Sequence, residues 1–220
     1  EQITGIDWVA CAGAEVEVAI PETGLGGRLD ATTAANAEIA AITRIDIDHQ
    51  EYLGETIEEI AAEKGAIIHS GSIAIIGEQQ REVMTVLLDH CREVGVLPFT
   101  ECKASIWAID STNKTVVASF RTKRELYHNP NLGLLGRYQI ENARIAVMVA
   151  ETLKFDFELD LSTDNVVDGL ENARHPGRLE VQGLYLFDGA HNVAGANALR
   201  VYLDEFVHQP ITLVFGAMKD

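Results

Sequence analysis

Glu22, His49 and Lys64 combine a carboxylate, an imidazole and an amine within one stretch, "PETGLGGRLDATTAANAEIAAITRIDIDHQEYLGETIEEIAAEKGAII", running from Pro21 to Ile68. A carboxylate and an imidazole suit a divalent ion, and magnesium keeps waters or phosphate oxygens as its other ligands. Glu22 follows "AEVEVAI" and His49 follows "AEIAAITRI", two segments that read as short strands. In a parallel sheet the carboxyl ends of the strands share one edge, where residues distant in sequence meet around a ligand. On spacing alone, a pair of unrelated polar loop ends accounts for the two residues equally well. Asp46 and Asp48 flank His49 and either hold it or compete with it.

"TIEEIAAEKGAII" has helical spacing, with Ile57, Ile60 and Ala61 on the face that also carries Lys64. The amine is expected to point along this apolar stripe, and desolvation favours the neutral form of a lysine. A neutral amine takes up carbon dioxide to give a carbamate, an anion able to face magnesium. The alternative is a snorkelling lysine whose stem covers Ile60 while its head reaches water. The "GLGGRLD" segment, Gly24 to Asp30, is glycine-rich but matches neither a dinucleotide fingerprint nor a P-loop. Its glycines suit a ligand's close approach or a tight structural turn.

Two later segments offer nucleotide contacts. Asn142 shares a helical face with Tyr138, Ile145 and Val149, so its amide is expected to point inward and to need a partner, such as an adenine edge or a backbone carbonyl. In "LFDGAHN", Asp188 ends a strand while His191 and Asn192 precede a helix, where α/β proteins present groups to ribose or phosphate. Arg178, after "PG", suits a phosphate clamp. A surface cation at Arg178 and a helix cap at Asn192 are the plainer alternatives.

These residues need elements to position them. "SIAIIG" reads as a buried strand, "EQQREVMTVLLDHCREVG" as a helix stopped by Gly95, and "SIWAID" and "TVVASF" as strands joined by "STNK". "RYQIENARIAVMVAETL" and "STDNVVDGLENA" are helical; "RLEV", "LYLFD" and "ITLVFG" are strands around the helix of "DGAHNVAGANALRVYLDEF". This alternation predicts an α/β fold with a mainly parallel sheet. Pro176 and Gly177 mark the boundary, giving a domain over 1–173 and the start of a second over 174–220.

Composition removes several classes of function. Seventeen basic residues stand against thirty-four acidic ones, a net charge of −17, with no basic run for nucleic acid or an anionic membrane. Cys11, Cys91 and Cys102 are too scattered for a disulfide framework or a zinc knuckle, which points to a reducing cytoplasm. No stretch is long and apolar enough to cross a bilayer, and the start lacks signal-peptide order. The remaining histidines, His69, His90, His128, His175 and His208, have no partners at ligand spacing; Trp8 and Trp107 read as core. Neither a Gly-x-Ser-x-Gly elbow nor an HExxH pair is present, which argues against common hydrolase schemes.

Five motifs in order, "ETGLGGRLDAT", "DIDHQEYLGETIEEIAAEK", "LLGRYQIENARIAV", "HPGRLE" and "LFDGAHNVAGANAL", resemble the folylpolyglutamate synthase/dihydrofolate synthase family of the Mur ligase superfamily. The resemblance runs from about Gly5 onward, with Glu78 to Glu125 contributing little. It implies a Mur-ligase-type central ATPase domain followed by the beginning of a smaller α/β domain. It further implies Glu22, His49 and Lys64 as magnesium ligands and catalytic residues, with Lys64 carbamylated. Asn142, Arg178, Asp188 and His191 match ATP contacts, and Asp30, with Arg28 beside it, lies at the substrate site.

The reaction implied is ATP- and magnesium-dependent amide formation between L-glutamate and a folate or dihydropteroate carboxylate, through an acyl phosphate, in a cytoplasmic enzyme of a family that acts mostly as monomers. Thr33 stands where the family usually has Asn, and "EKGA" reverses the usual order of small residues after the lysine. The segment before Glu22 is shorter than the family's helix and strand. The family's phosphate loop, with its lysine and serine, does not occur in these residues, nor does the end of the C-terminal domain, so a fragment of a longer ligase is expected. The alternatives are a nucleotide-binding remnant without catalysis and, on Glu22 and His49 alone, a metal-dependent hydrolase.

Overall fold

A computed structural model describes residues 2–216, apart from the side chain of Gln2. Contacts divide the chain into two compact units, residues 1–74 with 79–98, and residues 75–78 with 99–220. Among the described residues no helix is long and apolar enough to cross a membrane.

The first unit opens with α1 (Gln2–Gly13). The expected strand "AEVEVAI" is absent: residues 14–20 are irregular and exposed, so their alternation of apolar and polar residues finds no neighbouring strand to pair with. A short 3₁₀ turn (Ala31–Ala35) leads to β1 (Ile39–Ile42), α2 (Gln50–Leu53), α3 (Ile57–Gly65), β2 (Ile73–Ile76), whose last two residues are counted with the second unit, and α4 (Arg81–Val94). β1 pairs with the start of β2, where Ile73 N–H donates to Glu38 O at 2.8 Å. Beyond β1, the Gln79 amide takes the place of a strand neighbour, accepting from Ile45 N and donating to Thr43 O.

The two longer helices of this unit show why its sequence folds as it does. Thr56 caps α3 reciprocally with Glu59, fixing where the helix starts. α4 carries Val83, Leu87 and Cys91 at four-residue spacing, all but sealed from solvent, and stops at Gly95 with φ 74°. Ile60 and Ala61 of α3 are fully buried, and Gly65 lets the helices close up, because a Cβ there would lie 2.7 Å from Leu87 Cδ2.

In the second unit, Ile75 forms a parallel bridge with Phe99. β3 (Lys103–Asp110), β4 (Thr115–Arg121) and β5 (Leu126–Tyr127) make an antiparallel sheet in that order. The Asp110 carboxylate builds the β3–β4 turn by accepting from Thr112 N, Asn113 N and Asn113 Nδ2. Trp107 is not core: the β3–β4 register shifts between Ile106 and Ala108, and the indole is 68% exposed. Trp8 is half-buried.

α5 (Gln139–Asp156) and α6 (Thr163–Asn172) follow, with Ser162 and Asn165 forming the α6 capping box. The chain then enters the antiparallel hairpin β6 (Glu180–Gln182) and β7 (Tyr185–Phe187) and ends in α7 (Val193–Phe206), capped by Asn192. Leu179, Tyr202 and Phe206 form a small core, against which Leu135, Tyr138 and Leu186 pack. The fold is therefore mixed α/β, but the mainly parallel sheet expected from the alternation is not present among the described residues. There are two- and three-stranded sheets, antiparallel in the second unit, and "ITLVFG" is irregular and exposed.

Candidate active site

The "GLGGRLD" loop is the organising feature of the first unit's site. Asp30 closes it: one carboxylate oxygen accepts from Gly24 N (3.0 Å) and Leu25 N (3.3 Å), the other from Thr32 N (2.9 Å) and Thr32 Oγ1 (2.6 Å). Burial by itself would raise the Asp30 pKa, but the hydrogen bonds from Thr32, Leu25 and Gly24 outweigh it, and the carboxyl lies below its ordinary value. Thr33, the departure from the family pattern, donates its hydroxyl to Gly27 O at 2.6 Å and so fastens the same turn.

The loop docks on the last turn of α3. Arg28 N donates to Glu63 O at 3.0 Å, and Arg28 Nε pairs with Glu63 Oε1 at 2.8 Å. Gly27 is pressed so closely that a Cβ would fall 2.6 Å from Glu63 O and 3.0 Å from Lys64 O. Gly26, at φ 72°, faces Leu53 of α2, whose Cδ2 would lie 2.9 Å from a Cβ.

The three expected metal-site residues come from three separate segments of this unit. Glu22 lies two residues before Gly24, exposed, on the wall of an open groove of about 500 Å³ shared with Thr4, Leu25, Leu29 and Asp30. It does not follow a strand, so a sheet edge is not what positions it; the loop is. His49 lies beyond β1 at the head of α2, in the left-handed region with φ 50°. Its backbone N–H donates to Asp48 Oδ1 at 2.9 Å, and its ring Nε2 lies 3.8 Å from Asp48 Oδ2. Asp46 is instead taken up by Arg44 and Gln80, which decides between the two flanking aspartates. Lys64 sits in the last turn of α3, half-buried, with no hydrogen bond or ion pair among the described residues. Its carbonyl lies against Gly27, Leu53 of α2, four residues beyond His49, lies against Gly26, and Glu22 precedes Gly24 by two residues.

By donor chemistry Glu22 and His49 fit a divalent cation with water or phosphate oxygens completing the shell. The Lys64 ammonium does not fit as a ligand; its carbamate does. The Arg28 and Asp30 side chains, expected at the substrate, make their described contacts within the protein, Arg28 to Glu63 and Asp30 to the loop amides and Thr32.

The second unit holds the other candidates. Asn142 does not point inward: α5 buries Ile140, Ala143, Val147 and Glu151, leaving Asn142 exposed, its Nδ2 donating to Gln139 Oε1 at 2.8 Å. It lies on the rim of an apolar groove of about 370 Å³ lined by Ala143, Ala146, Ala150, Val166 and Leu170. Asp188 ties the turn after β7 to the turn before β6, accepting from Leu179 N and Ala190 N, each at 2.9 Å. Leu179 is fully buried at φ 47°, an uncommon backbone for a branched side chain, and this hydrogen bond holds it. The Arg178 guanidinium lies over Gly189, where a Cβ would be 2.8 Å from Nη1, and His191 Nδ1 lies 2.9 Å from Gly189 O. Arg178, Asp188 and His191 are thus brought together on adjoining turns. Tyr138 joins them, a residue sequence reasoning passed over because nothing in its spacing distinguishes it from core. Its pKa is raised by burial and then by the Asp188 charge, against the Gln139 hydrogen bond and the Arg178 charge.

The sequence matches the family described as Mur ligase middle domain over residues 10–150. The chain is 35% identical to the dihydrofolate synthase/folylpolyglutamate synthase of Bacillus subtilis across 94% of its length, and spans 49% of that protein. An FPGS–AMPPCP–folate complex superposes with a TM-score of 0.86 at 27% identity, over 95% of this chain and 52% of that one. Mycobacterium tuberculosis folylpolyglutamate synthase complexed with ADP and AMPPCP gives a TM-score of 0.80 at 34% identity, over 92% and 47%. The chain spans about half the length of these relatives.

Proposed function

Because the chain belongs to the folylpolyglutamate synthase/dihydrofolate synthase family and carries a Mur ligase middle domain, we propose that it forms the catalytic centre of an ATP-dependent ligase. The ligase joins L-glutamate to a folate or dihydropteroate carboxylate. The observation that carries this reading is the Gly24–Asp30 loop, closed by the Asp30 carboxylate and docked on the turn of α3 that bears Lys64. The complexes of relatives with AMPPCP, ADP and folate support the same ligand classes.

In this mechanism the substrate carboxylate attacks the γ-phosphoryl group, ADP leaves, and the glutamate amine displaces phosphate from the acyl phosphate. Magnesium, when bound, supplies neutralisation of charge on phosphate oxygens. Glu22 and His49 would hold it, with Lys64 contributing as the carbamate. Asp48 accepts the His49 backbone N–H and so fixes where the imidazole leaves the chain. Asn142 presents an amide to the nucleotide, Arg178 offers its guanidinium to phosphate oxygens, and Asp188 keeps the turn bearing His191 in shape. The division at residue 174 into a central and a C-terminal domain belongs to this proposal.

The test is phosphate release by the natural full-length protein. Release should require ATP, magnesium, glutamate and a pteroate or folate together, and fall at least about a hundredfold in Glu22→Gln. Labelled bicarbonate should give a carbamate carbon resonance that is absent from Lys64→Arg. MgATP binding with no release under any substrate combination would refute the ligase in favour of a nucleotide-binding remnant.

A further inference from the structure

Three residues ahead of α5 join that helix to the turns carrying Arg178, Asp188 and His191. Gly136, at φ 94°, is confined to glycine, since a Cβ would lie 2.7 Å from Tyr138 Cε1 and 2.9 Å from Leu179 Cδ1. Tyr138 packs against the Leu179–Tyr202–Phe206 core, and Leu179 in turn gives its N–H to Asp188. Between them Arg137 reaches α7 with a two-pronged contact: Nε lies 2.9 and 3.1 Å from the Glu205 carboxylate oxygens and Nη2 lies 2.7 Å from Oε1. Asn142 stands one helical turn beyond Tyr138. A continuous set of contacts therefore runs from the start of α5, through Tyr138 and Leu179, to Asp188. The Arg137–Glu205 pair ties the same segment to the last turn of α7.

We infer that Arg137 is a positioning residue for nucleotide binding: paired with Glu205, it fixes the spacing between Asn142 on α5 and the turn of Asp188 and His191. This rests on the nucleotide reading proposed above. A single exposed ion pair contributes little, but a planar fork on a carboxylate sets direction as well as distance, which a lysine cannot reproduce. The side chains are only 40% and 23% exposed, so water competes for the contact on few sides.

The experiment is calorimetric titration of MgATP into the full chain, alongside Arg137→Gln, Glu205→Gln, the double Gln variant, Arg137→Lys and the swapped pair Arg137→Glu/Glu205→Arg. Each single Gln variant should weaken binding about fivefold, the double no further, Arg137→Lys partly, and the swap should restore binding to within about twofold. Amide exchange at Leu179 and Ala190 should quicken in the single variants and recover in the swap. Wild-type binding that all variants share, or single effects that add in the double, would overturn the inference while leaving the nucleotide reading intact. Failure of the wild type to bind MgATP would overturn both.

Discussion

The glycines of "GLGG" differ in what surrounds them, and alanine substitution should rank them in a fixed order. At Gly27 a Cβ meets Glu63 O at 2.6 Å, Ile67 Cγ2 at 2.9 Å and Lys64 O at 3.0 Å. Two of these atoms are helix backbone and cannot rotate aside, so the loop must lift. Such overpacking costs about 1–3 kcal/mol. Lifting also breaks the Arg28 N to Glu63 O hydrogen bond, worth about 1 kcal/mol. Gly27→Ala should therefore lose about 2–4 kcal/mol and lower the melting temperature by roughly 5–10 °C. At Gly26 the obstacle is φ 72° together with the flexible end of Leu53, a cost of about 1–2 kcal/mol. At Gly24 the nearest atom is Asp30 Oδ2 at 3.4 Å, ordinary contact, and alanine should be neutral within about 0.5 kcal/mol. Thermal and urea denaturation of the three variants measures the order directly. A Gly27→Ala protein as stable as Gly24→Ala would refute the docking of this loop on the turn of α3 that bears Lys64.

Other expectations concern titration and reactivity. Glu151 is 5% exposed, and its pKa is raised by burial, then lowered in part by Thr122 and Tyr127, with the Glu125 charge raising it and Arg124 lowering it. A folded pKa above the unfolded one gives stability that is present in acid and lost as pH rises through the folded value. Urea melts should show Glu151→Gln gaining on wild type as the pH rises above the ordinary carboxyl value of 4.5, and a constant difference would refute this. Asp30 has the opposite sign: its lowered pKa stabilises above about pH 4 and is lost in acid, so Asp30→Ala, destabilised by about 1–2 kcal/mol at pH 7, should converge on wild type as the pH falls. Burial pushes the Cys102 thiol up to about 12 and raises Cys91, so iodoacetamide followed by peptide mass mapping should label Cys11 first. Ser162→Ala should cost about 1 kcal/mol in a thermal melt through the α6 cap.

Local signals carried much of the architecture because the forces behind them are local. The α3 capping box, the apolar four-residue spacing of α4, Gly95 at its end, the "STNK" turn and the Ser162 cap each act within a few residues, and each element formed where its pattern placed it. The family, too, was legible, since its motifs are runs of consecutive residues. Partners distant in the chain were not. "AEVEVAI" alternates like a strand, yet alternation does not supply a neighbour; Trp107 is apolar, yet β3 is exposed on both faces from Ser105 to Ala108; Asn142 shares a helical face with apolar residues, yet the face α5 buries is set by what packs on it. The types and order of the candidate site residues thus came from the amino-acid sequence alone. Only the folded chain decided that the glycine loop presses on the last turn of α3, because a contact as close as that of Gly27 with the carbonyls of Glu63 and Lys64 depends on two backbones meeting in space.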